Sequence, residues 1–281
     1  MAHCVVQEAE AILDREFPVL DTGFIRLVDY LGGDERVVQA ARVSYGAGTK
    51  GYREDEGLID YLLRNQHTSP FEQVVLTFHV KLPVFVARQW VRHRTARLNE
   101  ISGRYSVLQE AFYLPASEDM ALQCTQDKQS RAAEVLDREQ AQGICAAMAA
   151  AQKRAYTEYT DLIEQGIARE LARINLPLSL YTELYWQIDL HNLFHFLKLR
   201  LSAHAQKEIR AYAQVLLQIT KQVAPLSCRA FERHVLEGVS FSREEFAEIK
   251  RRLGLSQGAA SKARLEGKDL ARFEAKLNTR G

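Results

Sequence analysis

Arg92, His93, Arg94, Arg97 and Arg104 stand around a single acid, Glu100, within the stretch RHRTARLNEISGRYS, although the whole chain carries a formal charge of only +1. Such a knot of cations can be a solvated surface, a nucleic-acid patch or a pocket for a small anion. A helix ending near Arg94 would attract cations to its negative end whatever the function. The residues that follow ask for more than that. Gly103 lets the backbone come close to a ligand, Ser102 offers a hydroxyl, and Arg104 offers a planar fork matched to phosphate. A turn of successive backbone N–H groups beside them makes an anion nest, so the residues themselves favour a pocket for an anionic ligand. Glu100 either neutralises its neighbours or accepts from an N–H or hydroxyl of that ligand.

Other stretches offer chemistry of their own. In HTSPFEQ, residues 67–73, Ser69 precedes Pro70 and Glu72 follows three residues later, which reads as a helix start with His67 beside it. In IDLHNLFHFLKLR, residues 188–200, Asp189 opens a helix on which His191 and His195 are four apart and share a side. That spacing invites a metal, but no Glu of an HExxH pattern accompanies it and Phe194 and Phe196 interleave. Capping, or polar contacts to a large aromatic cofactor, is the preferred reading, and no metal is expected. Arg173 and Arg200 each lie among core-type residues. A guanidinium is too costly to bury unpaired, so each has a carboxylate partner or faces a site that holds an anion.

The elements that must position these residues follow from periodicity. Residues 23–32 read as a first strand, 34–45 as a helix capped by Asp34, and 56–66 as a second helix with Leu58, Ile59, Leu62 and Leu63 on one face. Strict alternation over residues 74–82 predicts a half-buried strand, and Pro83 suits the first turn of a helix running to about Arg94. From Asn99 the chain reads as loop. A long polar-faced helix is expected over about 128–165, a strand over 180–188, then helices over 190–201 and 205–223 ending before Pro225. Strands and helices mix without a regular βαβ alternation, so the class is α+β. Neither GxGxxG nor GxxxxGK[ST] occurs, which argues against Rossmann and P-loop nucleotide sites.

Composition sets the outer limits. With 281 residues, 47% hydrophobic and 26% charged, the chain has the balance of a globular protein. No apolar run approaches the roughly 18 residues of a membrane span, and the N-terminus lacks a signal-peptide layout, so a cytoplasmic location is expected. Cys4, Cys124, Cys145 and Cys228 are scattered without CxxC spacing, so neither a zinc site nor an activated thiolate is expected. Residues 241–281 hold ten Lys/Arg against six Asp/Glu. Ser242 with Glu245 makes a capping box there, and the tail reads as a solvated helical appendage or as a weak nucleic-acid or partner-binding segment.

Taken together, these blocks resemble the flavin-dependent thymidylate synthases. Arg92, His93, Arg94 and, after seven residues, Ser102 match that family's RHR-x7-S signature. ARVSYG, HTSPFEQVVLTFHVKLPVFVARQW, ELARINLPLSLYTELYW and NLFHFLKLR…AHAQKEIRAYA look like its other blocks in its order, together spanning about residues 23–235. Two departures stand out: Arg97 where the family often has Ser, and a tail beyond the common core.

The resemblance implies conversion of dUMP to dTMP, with methylenetetrahydrofolate as one-carbon donor and protein-bound FAD, reduced by NADPH, as hydride source. It implies a central, mostly antiparallel sheet flanked by long helices, assembled as a homotetramer with active sites between subunits. Residues 1–238 would form the catalytic domain and 239–281 a basic helical extension. Carried over by position, dUMP would meet Gln89, Trp90, Val91, Arg92, Glu100, Ile101, Ser102, Gly103, Arg104, Arg173 and Arg200. FAD would meet Ser44, His67, Ser69, Glu72, Arg92, His93, Arg94, Glu100, Asp189, His191 and His195. Arg200 would be the catalytic residue, stabilising charge that develops on the pyrimidine, and Ser102 a dUMP contact rather than a nucleophile.

Overall fold

The alternation expected over residues 74–82 is realised in a computed structural model of the chain, which describes residues 4–43, 52–125, 131–253 and 266–278. β3 (Val75–Pro83) buries Leu76, Phe78, Val80 and Leu82 completely, while Thr77, His79 and Lys81 on its other face stay half-exposed. β1 (Glu16–Val19), β2 (Gly23–Leu31), β7 (Tyr181–Asp189) and β4 (Arg97–Glu100) complete a five-stranded sheet in the order β1-β2-β3-β7-β4. Every neighbouring pair in it is antiparallel. β5 (Ala121–Gln123) and β6 (Arg131–Val135) pair as a separate hairpin.

One face of the sheet is covered by α4 (Val84–Trp90), α7 (Leu190–Arg200) and α8 (Lys207–Val223). α8 buries Ile209, Tyr212, Ala213, Leu216, Ile219, Thr220 and Val223, the three-and-four spacing of one helical stripe. Trp90, Trp186, Phe196 and Tyr212 interlock at the centre, with ring centroids 4.7–6.1 Å from Trp90. Full burial of such side chains contributes about 1.5–3 kcal/mol each. Tyr212 donates its hydroxyl to the carbonyl of Lys81 at 2.7 Å, and a Cβ at Gly23 would lie 2.0 Å from that hydroxyl, so only glycine admits α8 this close to β2. The opposite face is polar. Arg26 donates to His79 Nδ1 at 2.7 Å, and His79 donates from Nε2 to Glu183 at 2.9 Å, a chain crossing β2, β3 and β7.

Two further helices lie in the first half of the chain, α2 (Asp34–Arg42) and α3 (Tyr52–Arg64), after the short α1 (Gln7–Glu10). α5 (Arg138–Glu164) is capped by Asp137, which accepts from the N–H groups of Glu139 and Gln140. It is followed by the one-turn α6 (Arg169–Ala172). The chain separates into two compact units, residues 1–228 and 229–281, with α9 (Pro225–Phe231) spanning the junction in sequence. In the second unit, α10 (Arg243–Arg252) and α11 (Gly267–Leu277) enclose a fully buried Phe273, which meets Phe241 edge-on. The Ser242–Glu245 capping box is present.

Several expectations need correction. Asp34 does not cap α2, whose N-cap is Gly33; its carboxylate instead accepts from the backbone N–H of Leu226 and from the N–H and hydroxyl of Ser227. It serves the orphan donors of α9, a helix nearly two hundred residues away. α4 stops at Trp90 rather than about Arg94, so the RHR triplet lies beyond it. Residues 97–100 are strand rather than the start of a loop, because β7 offers an open edge with which they pair. The long helix begins at Arg138, since residues 131–135 pair with β5. Ser69 caps nothing; only a 3-10 turn, Phe71–Gln73, follows Pro70.

Candidate active site

The end of α4 shapes the first part of the site. A helix leaves its last carbonyls without internal partners. Here the N–H of His93 turns back to the carbonyl of Trp90 at 3.0 Å, and the carbonyl of Gln89 is left for another donor. Arg200, the last residue of α7, supplies it: Nη2 donates to the Gln89 carbonyl at 2.9 Å and Nε donates to His93 Nε2 at 3.0 Å. The cation thus sits where the helix dipole favours it. A guanidinium has five N–H donors. Two are held by these acceptors, no carboxylate among the described residues pairs with Arg200, and the side chain is half-buried. Three donors therefore remain for a ligand on a rigidly held plane. Burial lowers the Arg200 pKa, another sign of a cation without its own counter-ion.

Because His93 Nε2 accepts from Arg200, the ring is neutral and carries its proton on Nδ1. Burial, followed by the charges of Arg200 and His195, holds its pKa down at about 4. The ring packs 4.6 Å from Phe196 and 6.2 Å, edge-on, from His195. Gln89 also donates from its side chain to Gln206, the N-cap residue of α8.

β4 brings in the second part. Residues paired across antiparallel strands share a face. Leu98 and Glu100 pair with Trp186 and Leu184 and so lie on the helix-covered side, whereas Arg97 and Asn99 lie with Gln187 and Tyr185 on the other. The run of charge in the sequence is divided by register, and Arg97 is turned away from Glu100. Glu100 Oε1 accepts from the Thr182 hydroxyl at 2.6 Å.

After Ile101, whose N–H donates to the carbonyl of Glu183, the chain makes a tight turn. Tyr105 and Ser106 donate their N–H groups to the Ser102 carbonyl, and Arg104 donates its N–H to Ser102 Oγ at 3.3 Å. Gly103 is buried against Arg173: a Cβ there would lie 3.1 Å from Arg173 Cδ and 2.9 Å from Leu108 Cδ1. This contact brings 103 and 173 together across seventy positions. Arg104 pairs with Glu170 at 3.3 Å, both side chains exposed. Arg92, Arg94, Arg97 and Arg173 have no carboxylate partner among the described residues.

The remaining expected residues fall at the other end of α7. Asp189 caps that helix, accepting from Asn192 N and Nδ2 at 2.9 and 2.7 Å. The N–H of Leu190 donates to the Val74 carbonyl, and Phe71 packs on Phe194, so residues 71–74 lie against the first turns of α7. His67 is exposed and meets Tyr61 edge-on; Glu72 is exposed and accepts from Thr68 at 3.4 Å. Ser69 lines a cleft of about 450 Å³ with Arg36, Gln39 and Gln73. His191 is half-buried and His195 exposed. Trp90 has its indole in the aromatic core, Nε1 unpartnered, and offers a ligand no side-chain surface, while Val91 and Ile101 are exposed. Ser44 lies outside the described residues. Among the described residues no group of three or more His, Cys, Asp or Glu is placed to hold a metal ion.

Sequence reasoning passed over Thr182, Gln206 and Glu170. Their partners lie far away in sequence or, for Glu170, depend on a turn whose shape only the fold sets. No local pattern marks them.

The chain was compared with known proteins. The family model for the thymidylate synthase complementing protein matches residues 26–226, and one for the thymidylate synthase ThyX C-terminal domain matches residues 239–280. A flavin-dependent thymidylate synthase from Treponema pallidum is 62% identical over 279 residues, covering 99% of this chain and 90% of that protein. One from Thermus thermophilus is 57% identical over 233 residues, covering 83% and 84%. Among solved structures, a UMP/dUMP methylase from Streptomyces cacaoi bound with 5-Br dUMP aligns at a TM-score of 0.70 and 33% identity, covering 78% of this chain and 98% of that one.

Proposed function

From the premise that this chain belongs to the flavin-dependent thymidylate synthase family, we propose that it converts dUMP to dTMP by reductive methylation. Methylenetetrahydrofolate serves as one-carbon donor and NADPH as reductant. The observation that carries the assignment of the site is the Arg200 guanidinium, held by His93 and the Gln89 carbonyl with three donors left over and no carboxylate partner among the described residues. C5 of uracil is a poor nucleophile until electron density is pushed into the ring. A fixed cation at the pyrimidine stabilises the charge that develops, and it needs no reorganisation when the charge appears.

Gln89, Trp90, Val91, Arg92, Glu100, Ile101, Ser102, Gly103, Arg104, Arg173 and Arg200 form the dUMP site on this reading. The phosphate belongs at the 102–104 turn, where Gly103 allows Arg173 to approach. Ser102 is a contact there: its hydroxyl already accepts from the Arg104 N–H, and no general base among the described residues bonds it. Ser44, His67, Ser69, Glu72, Arg92, His93, Arg94, Glu100, Asp189, His191 and His195 are assigned to FAD. The fit rests on Arg92 and Arg94, which lack carboxylate partners among the described residues and are donors suited to a diphosphate, and on the cleft that Ser69 lines with Arg36. FAD supplies the hydride when bound; the chain binds and orients.

His191 lies in the first turn of α7 and Arg200 at its end, about 14 Å apart at 1.5 Å per residue. The family resemblance is the ground for assigning a homotetramer in which another copy completes each site. Residues 1–238 are assigned to catalysis and 239–281 to a helical extension. Supporting this division are the break between the compact units at 228/229 and the separate family matches on either side. No helix among the described residues is long and apolar enough to cross a membrane, and we assign the enzyme to the cytoplasm. The test is dTMP formation by the purified, FAD-loaded protein with dUMP, methylenetetrahydrofolate and NADPH. A yellow protein that binds dUMP but forms no dTMP overturns the reading.

A further inference from the structure

Thr182 lies on β7 and is 6% exposed; its neighbours on the helix-covered face, Leu184 and Trp186, are each 1% exposed. A threonine in such company needs a reason. Its hydroxyl donates to Glu100 Oε1 at 2.6 Å, a short bond of the charge-assisted kind. Register explains how they meet: Glu100 pairs with Leu184, and Thr182 is the next residue on that face of β7. None of the arginines around Glu100 in sequence pairs with it; Arg104 goes to Glu170, and Arg92, Arg94 and Arg97 have no carboxylate partner among the described residues.

We propose that Thr182 is a positioning residue for the nucleotide, fixing Glu100 so that one carboxylate oxygen is held and the other is presented to dUMP. This rests on the reading of Glu100 as a dUMP contact. A neutral hydroxyl does what an arginine could not, because it orients the carboxylate without cancelling its charge. The exposed oxygen then keeps full acceptor strength for an N–H or O–H of the nucleotide. Threonine suits the task better than serine, since branching at Cβ restricts χ1 and a strand leaves it few alternatives. Glu100 itself sits on an edge strand of four residues, all exposed, where nothing else in the described structure would hold its side chain.

The test is a double-mutant cycle on the full-length, FAD-loaded protein, reading the dissociation constant and KM for dUMP against kcat. Thr182→Val keeps shape and burial and removes the hydrogen bond; it should raise the dUMP KM roughly tenfold, as expected for loss of a hydrogen bond to a charged group. The flavin spectrum and melting temperature should stay near wild type. Thr182→Ser should recover most of the loss. Glu100→Gln should weaken dUMP binding by itself, and Thr182→Val added to it should cause a smaller further loss than in the wild type, since the hydroxyl then donates to a neutral amide oxygen rather than to a carboxylate. If Glu100→Gln weakens dUMP binding but Thr182→Val does not, or if the two losses multiply, the proposal is wrong. If Glu100→Gln leaves dUMP binding unchanged, the underlying reading of Glu100 fails instead.

Discussion

Arg200 and His93, 107 positions apart, share a hydrogen bond in which Arg200 Nε–H donates to His93 Nε2 at 3.0 Å. Together with the Gln89 carbonyl it fixes the plane of the guanidinium before any substrate arrives. Lysine carries the same charge but no fork: its three donors sit on one atom, so it cannot span both acceptors and still present a planar set of donors. Arg200→Lys should therefore lower dTMP formation on the order of a hundredfold or more, the scale of losing a preorganised donor. The visible absorbance of bound flavin should persist. Loss of the colour would move Arg200 out of the pyrimidine site.

His93 has a pH response of its own, set first by burial. Its pKa falls from the usual 6.5 to about 4 because of burial and the nearby Arg200 and His195. Between those values the unfolded chain binds a proton that the folded chain refuses, so stability falls as pH drops from about 6.5 toward 4 and is flat in this respect above 6.5. His93→Gln keeps an acceptor for Arg200 but no longer titrates. The drop in melting temperature between pH 7 and pH 5 should be smaller in the variant than in the wild type.

Gly103 is predicted to be intolerant for reasons of space, not backbone conformation. A methyl group there meets Leu108 Cδ1 at 2.9 Å and Arg173 Cδ at 3.1 Å. Both are side-chain atoms that can shift, so Gly103→Ala should fold. It should displace Arg173 and raise the dUMP KM severalfold, with circular dichroism unchanged.

Glu208 is 1% exposed and bonds Arg131 and the Tyr113 hydroxyl. Burial pushes its carboxyl up, but the hydrogen bond and charge of Arg131 outweigh this and leave it below its usual value. This pairing is stabilising above the unfolded carboxylate pKa and is lost as pH falls through the folded one. Arg131→Ala strands the carboxylate and should cost about 3 kcal/mol in urea unfolding. Replacing both partners with apolar residues should cost much less, because no charge is then left buried.

Much of the architecture was legible in the sequence. The alternation of 74–82, the stripe of 205–223 and the capping box at Ser242 are local patterns, and they form elements close to the expected ones. Mistakes concentrated where a local signal had a distant competitor. Asp34 looks like the cap of the helix it begins, yet α9 had orphan donors within its reach. Residues 97–100 look irregular because their partner, β7, lies more than eighty residues further on. His67, Ser69 and Glu72 are named by resemblance alone, and nothing in their spacing shows that Ser69 lines a cleft with Arg36 or that Phe71 packs on Phe194 of α7.

Residue types and spacing by themselves raised an anion-binding turn at 102–104 as the preferred reading, showed a family signature around it, and marked Arg173 and Arg200 as arginines set among apolar residues. Those conclusions follow from chemistry carried by single side chains and their near neighbours. Only the tertiary structure decided which way each one faces. Register across β4 and β7 put Glu100 and Arg97 on opposite faces of the sheet. The early end of α4 freed a carbonyl for Arg200, and the packing of α7 delivered Arg200 to it. Each of these pairings joins residues eighty or more positions apart, and the choice among distant partners is made by how layers pack, which no local pattern encodes.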